Sequence, residues 1–169
     1  KENYVYKSVS ANSSIKAVIP IVQQQYKTHK IVTEFNEKLP PIVVDNNNFQ
    51  QIIINLVENA CKYSKEGSEV KVKTDFAPND FASIKVIDNG VGIKEEDKEK
   101  IFEKFSRIDS PLTREVQGSG LGLYITKNLV ENMNGKINVD SSKNGTTFEV
   151  LMPIGDIENQ ARAKCAPKH

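Results

Sequence analysis

Asn55, Asn59 and Lys62 are spaced by four and three residues, so on a helix they stack along one side. An Asn amide oxygen suits Mg²⁺, and a Lys ammonium is a point charge for phosphate. Asn is a poor interior helix former, and Glu, Lys or Gln would serve a solvated face better. A solvated face therefore accounts for Lys62 more readily than for the two asparagines. On this helix alone the solvated-face and ligand readings stand level. Tyr63, at the edge of the stripe, can pack against a base.

Asp88-Asn-Gly90-Val-Gly92-Ile93 follows a strand-like run. Turn chemistry alone explains Asp, Asn and Gly there. The chemical alternative is that the Asp88 carboxylate accepts a hydrogen bond from an adenine amino group while the glycines let the backbone approach the base. Gly118-Ser-Gly120-Leu121-Gly122-Leu123 opens a helix, whose first N–H groups and positive dipole end can hold phosphates. Neither turn has the dinucleotide spacing, because Glu95 and Leu123 stand where the last glycine is required. Phe102 and Phe105, three apart, share a face of a short helix and by themselves read as core. Arg107 and Arg114 lie in a polar stretch, where each is solvated or reaches a phosphate when that loop closes.

These residues need elements to hold them. Residues 4–9 read as a short strand, and Ser13-Ser14 as the cap of a helix over 15–26 with Val18, Ile21, Val22 and Tyr26 on one face. Strands are expected over 31–35 and 42–44, separated by Pro40-Pro41. Asp45 or Asn46 then caps a helix to about Ser64, with Phe49, Ile52, Ile53, Leu56, Val57 and Ala60 as its apolar face. Residues 70–74 and 84–86 alternate like strands with one solvated face. A charged short helix lies within 94–105, a mobile loop within 106–119, and a helix over 120–133 that ends near Asn134-Gly135. Strands at 136–140 and 146–152 are joined by a turn at Lys143-Asn144-Gly145. Helices alternating with hairpin-linked strands predict a mixed sheet covered on one face by helices. The expected division is one domain over 1–154 and a frayed or disordered tail over 155–169.

Composition narrows the partners. With a net charge of +1 there is no global field to recruit nucleic acid or an anionic membrane. Cys61 and Cys165 form no disulfide framework, and His29 and His169 sit in no metal-binding spacing. No apolar run reaches the length of a membrane span, and no signal peptide opens the sequence, so a cytoplasmic domain is expected.

The ordered set resembles the catalytic, ATP-binding domain of bacterial sensor histidine kinases, within the gyrase–Hsp90–histidine kinase–MutL superfamily. Asn55 to Ser64 is similar to the N box and Asp88 to Ile93 to the G1 box. Phe102 with Phe105 is similar to the F box, Gly118 to Leu123 to the G2 box, and Asn144-Gly-Thr146 to the last glycine motif. The likeness covers residues 3–153. It implies an α/β two-layer sandwich of the Bergerat type, with a mostly antiparallel sheet, helices on one face and a flexible lid over ATP. By the same resemblance Asn59 coordinates Mg²⁺ with Asn55 beside it, Lys62 contacts phosphate and Tyr63 lies against adenine. Asp88 holds the adenine amino group, and Gly90, Gly92, Ile93 and Phe105 shape the pocket. Arg107 stabilises the γ-phosphoryl, Gly118, Gly120, Leu121 and Gly122 hold phosphates, and Thr146 backs the base site.

The resemblance implies a histidine kinase that takes its phosphoryl group from Mg-ATP. The superfamily's ATPases place a Glu where this sequence has Asn55, so transfer is favoured over hydrolysis. The phosphoacceptor histidine, followed by Glu and Pro on a dimeric hairpin, has no counterpart here; His29 lacks both and is expected on the surface at a helix end. The expected partners are therefore a separate histidine-bearing dimerisation domain and, through it, a response regulator. The fragment itself is expected to be monomeric, with no nucleic-acid or direct membrane contact and no autophosphorylation in isolation. The alternatives are an ATPase or serine kinase of the superfamily, and a regulatory nucleotide-binding module without catalysis.

Overall fold

A computed structural model of the chain describes residues 3–104 and 122–155. The element order is β1 (Tyr6–Val9), α1 (Ala11–Gln25), β2 (Lys30–Glu34), β3 (Ile42–Asp45), α2 (Asn46–Lys62), β4 (Glu69–Ala77), β5 (Phe81–Asp88), α3 (Gly122–Asn132), β6 (Lys136–Ser142) and β7 (Gly145–Pro153). Two 3₁₀ turns, Glu95–Asp97 and Lys100–Phe102, lie between β5 and α3. The five-stranded sheet runs β2-β4-β5-β7-β6, and β1 pairs with β3 in a separate ribbon. Among the described residues only β2–β4 is parallel; the other strand pairs are antiparallel.

Alternation decides what each strand offers the helices. On β4, Val70, Val72 and Thr74 are buried; on β5, Ala82, Ile84, Val86 and Asp88; on β7, Thr146, Phe148, Val150 and Met152. The opposite face of the sheet carries Lys71 and Lys73 bridged to Glu34, and Lys85 bridged to Glu149. That is the pattern of a sheet packed on one side.

Helix α2 is the centre of the helix layer. Phe49, Ile52, Ile53, Leu56 and Val57 are each 0% exposed, and Ala60 joins them in the core, as the 3.6-residue period predicts. Burying each large aliphatic side chain contributes about 1.5–3 kcal/mol. Of the two expected caps Asp45 is the one used: its Oδ1 accepts from the Asn48 N–H at 3.0 Å and its Oδ2 from the Val5 N–H at 2.8 Å. One carboxylate thus starts α2 and ties it to the first strand.

Several expectations need correction. Helix α1 begins at Ala11, capped by Ser10, whose Oγ accepts from the Ser13 N–H. Ser14, expected in the cap, instead donates its hydroxyl to Asn46 Oδ1 at 2.6 Å, joining α1 to α2. The buried stripe is Ala11, Ile15, Val18 and Val22, spaced by four, three and four residues, with Tyr26 half-buried just past the end of α1 and Ile21 exposed beside it. The expected helix within 94–105 is two short 3₁₀ turns among the described residues.

His29 is buried rather than on the surface. Gln23 folds the chain back there: its Nε2 donates to the carbonyls of Tyr26 and His29, and its Oε1 accepts from the Ile31 N–H. The imidazole therefore packs edge-on to Tyr26 and places Nε2 3.1 Å from Ser64 Oγ at the end of α2. The predicted loop at 106–119 lies outside the described residues, as does the predicted tail 155–169 apart from Gly155, whose N–H donates to the Pro41 carbonyl.

Candidate functional site

The β5 alternation that buries Ala82, Ile84 and Val86 also turns Asp88 toward the helix layer. Its cross-strand neighbour on β7 is Thr146. Each is 6% exposed, so a carboxylate and a hydroxyl sit side by side at the end of a hydrophobic sheet face. Burial pushes the Asp88 carboxyl above its ordinary value of 3.8, and the backbone N–H groups of Gly90 and Thr146 oppose that rise. The Gly90 N–H is 2.7 Å from Asp88 Oδ1.

The turn after Asp88 is gripped from two sides. A Cβ on Gly90 would stand 2.3 Å from the Tyr63 carbonyl oxygen, at the end of α2. Gly92 has φ +75° and a Cβ there would stand 2.0 Å from the Ser142 carbonyl oxygen, in the β6–β7 hairpin. These glycines were expected to make room for a base. In the fold, protein backbone occupies the space a Cβ would take at each, so these glycines also let the turn dock. The Ile93 N–H then donates to Ser141 Oγ at 2.7 Å, which holds the turn on the hairpin.

Helix α2 supplies the second wall. Asn55 and Asn59 are half-buried and Lys62 is exposed, off the apolar face as expected. Their surroundings differ. Asn55 Oδ1 accepts from Gln51 at 2.7 Å and its Nδ2 donates to Thr126 Oγ1 at 3.2 Å. The Thr126 hydroxyl in turn donates to the Gly122 carbonyl at 2.8 Å. Asn55 thus links α2 to the start of α3. The Asn59 side chain makes no hydrogen bond, and Lys62 no ion pair, among the described residues.

Tyr63 closes α2, its N–H donating to the Asn59 carbonyl. A cleft of about 420 Å³ opens beside it, reaching Asn89, Gly90 and Val91, with Lys62, Lys65 and Lys143 on its rim. Tyr63 and Gly90 belong both to this cleft and to the Asp88 turn, while Asp88 itself does not line it. Cys61, one residue before Lys62, is no nucleophile: burial first, then the charges of Asp88 and Glu58, push its thiol up to about 11.

Phe102 packs edge-on to Phe148, with ring centroids 6.2 Å apart, and the Lys127 ammonium lies 5.6 Å from its ring centroid. It is a core-edge residue joining β7 and α3, which is the packing role its spacing suggested. Gly122 is the first described residue of α3 and is exposed. Phe105, Arg107, Arg114, Gly118, Gly120 and Leu121 lie outside the described residues. Sequence reasoning gave no role to Ser141, Thr126 or Gln23. Each acts through a contact distant in sequence or through a turn, and none stands out by periodicity.

The fold and the site have known counterparts. Residues 44–156 match the family of histidine kinase-, DNA gyrase B- and HSP90-like ATPases. The chain is 32% identical over 147 residues to the signal transduction histidine-protein kinase ArlS of Staphylococcus haemolyticus, covering 86% of this chain and 32% of ArlS. It is 32% identical over 145 residues to ArlS of Staphylococcus aureus strain USA300, covering 85% of this chain and 32% of that protein. The chain therefore spans about a third of the length of these curated relatives.

Among solved structures, a nucleotide-free catalytic domain of the histidine kinase ThkA superposes with a TM-score of 0.75 at 26% identity, over 90% of this chain and 97% of that one. The mycobacterial sensor histidine kinase MprB superposes with a TM-score of 0.77 at 24% identity, over 90% of this chain and all of that chain, a likeness of fold. The sheet order, the Asp88 turn docked between α2 and the last hairpin, and the family match over well over half the chain lead to one conclusion. This chain belongs to the histidine kinase-, DNA gyrase B- and HSP90-like ATPase family.

Proposed function

We propose that the chain binds Mg-ATP between α2 and the Asp88 end of the sheet, and donates the γ-phosphoryl group to a histidine on a separate dimerisation domain of the same kinase. A response regulator would take the group from there, in two-component signalling in the cytoplasm. The observation that carries this reading is the buried Asp88 carboxylate facing the helix layer. An ionised carboxylate only accepts hydrogen bonds, which suits the amino group of adenine. The naming of the ArlS relatives as signal transduction histidine-protein kinases supports the direction of the chemistry.

Asn59 fits Mg²⁺. Its amide oxygen is a hard ligand uncommitted among the described residues, and Mg²⁺ asks the protein for only one or two oxygens beside phosphates and waters. Asn55 stands one turn away, its amide oxygen shared with Gln51. When bound, the ion would neutralise phosphate charge. Lys62 would add a positive charge at the phosphates and Tyr63 a face for the base. Gly90, Gly92, Ile93 and Thr146 would define the base site, while Gly122 opens the helix beside the phosphates. The roles of Phe105, Arg107, Gly118, Gly120 and Leu121 rest on the resemblance. Such transfer needs mainly positioning and charge neutralisation. Asn55 offers no carboxylate to activate water, which favours transfer over hydrolysis.

The test is a calorimetric titration of Mg-ATP into the chain and into Asp88→Asn. The parent should bind and the variant should lose roughly 10–100-fold in affinity. Adding a separately made acceptor-histidine domain should then give an acid-labile phosphohistidine. Equal binding by both proteins would move the base away from Asp88, and binding by neither would sink the reading.

A further inference from the structure

We propose that Ser141 is a positioning residue for base selection, setting which way the Thr146 hydroxyl points; this rests on the Mg-ATP reading above. Ser141 lies on β6, directly across from Thr146. Its Oγ has three neighbours: the Ile93 N–H at 2.7 Å, the Gly145 carbonyl oxygen at 3.1 Å and Thr146 Oγ1 at 2.9 Å.

A hydroxyl has one proton to give and two lone pairs to accept with. The Gly145 carbonyl can only accept, so the Ser141 proton goes there. The Ile93 N–H can only donate, so it takes one lone pair. The contact to Thr146 is then left to the second lone pair, and Thr146 must be its donor. Giving the Ser141 proton to Thr146 instead would leave two bare oxygens facing each other at the Gly145 carbonyl.

The consequence falls on the site. With its proton committed to Ser141, Thr146 can offer only lone pairs to a ligand, next to the acceptor-only carboxylate of Asp88. Two acceptors side by side suit an amino-bearing purine edge. They repel the carbonyl oxygen that guanine carries at the corresponding position, because neither can supply a proton. Ser141 also fixes Ile93, so one hydroxyl orders both the turn and the polarity of the neighbouring hydroxyl. The inferred role is discrimination between 6-amino and 6-oxo purine nucleotides, enforced by a residue that need not touch the base.

The experiment measures Mg-ATP and Mg-GTP affinity for the parent, Ser141→Ala, Ser141→Thr and Thr146→Val. The parent should prefer ATP. Ser141→Ala should lower the ATP-to-GTP affinity ratio about 10-fold, the worth of about one hydrogen bond. Ser141→Thr keeps the hydroxyl and should restore the ratio. Thr146→Val removes the oriented group while leaving the Ser141 contacts to Ile93 and Gly145, and should lower the ratio similarly; it carries the test if Ser141→Ala does not fold. Equal loss of both nucleotides, or an unchanged ratio in the folded variants, would overturn the proposal and leave Ser141 a purely structural residue. A parent that binds neither nucleotide would instead overturn the Mg-ATP reading, and this role with it.

Discussion

Asn12 on α1 and Asn59 on α2 are the same residue type in neighbouring helices, and the fold treats them oppositely. Asn12 is 9% exposed; its Oδ1 accepts the Thr74 hydroxyl at 2.7 Å and its Nδ2 donates to the Asn36 carbonyl at 3.0 Å. Thr74 Oγ1 accepts the Asn36 N–H as well, so the three residues close a partly buried network joining α1, β4 and the loop after β2. The Asn59 amide has no such partner among the described residues. A poor helix former is tolerated in α1 because its polar groups are satisfied by the fold. In α2 the Asn59 amide is left uncommitted by the described residues, which is where the proposed Mg²⁺ role begins. An asparagine in a helix therefore means little until its partners are known.

The sharpest way to break this comparison is to remove each amide in turn. Asn59→Ala should cost phosphotransfer from Mg-ATP several kcal/mol of stabilisation, on the order of 100-fold or more, while the melting temperature moves by no more than about 2 °C. Asn12→Ala should do the reverse. It takes from the buried Thr74 hydroxyl its acceptor, while the Asn36 carbonyl keeps the Leu39 N–H, so denaturant unfolding should show a loss of about 1–3 kcal/mol with ATP affinity kept. If Asn59→Ala proves the more destabilising, the distinction drawn between the two amides fails.

Asp88 lies between these cases, being buried like Asn12 yet only partly compensated. Because burial raises its carboxyl above 3.8, the native state holds that proton more tightly than the unfolded chain does. Ionisation thus weakens the fold as pH rises from below 3.8 through the raised native value, and the penalty is constant above it. The stability of Asp88→Asn relative to the parent should therefore increase between about pH 3 and pH 7, as read from paired melts. ATP affinity of the parent should fall on acidification at a higher pH than for an ordinary Asp. A flat difference between the two melting profiles would show that Asp88 titrates as if solvated.

Much of this was legible in the residues. The apolar period of α2, the strands of both hairpins and the breaks at Pro40-Pro41 and Asn134-Gly135 follow from side-chain type and spacing, and the structure keeps them. At the candidate site, the placing of Asn55, Asn59 and Lys62 off the apolar face was legible in their four- and three-residue spacing, and the structure keeps it; the burial of Asp88 was not, since turn chemistry alone explains an Asp there. The start of α1 was misplaced by four residues, since Ser10, Ser13 and Ser14 are equivalent caps until Asn46 engages Ser14. His29 was placed outside because no local signal reports that Gln23 folds the turn inward.

The sequence by itself determined the strands and long helices, the inward-facing set of α2 and of the sheet, and the family, because periodicity and ordered motifs are properties of neighbours along the chain. Only the tertiary structure decided why Gly90 and Gly92 must be glycine, since the atoms that exclude a side chain belong to Tyr63 and Ser142. It alone separated Asn55, committed to Thr126, from Asn59, and brought Ser141 to Ile93 across 48 residues. Hydrogen bonds and steric exclusion act over a few ångströms of space, and a linear sequence does not record which distant atoms will share them.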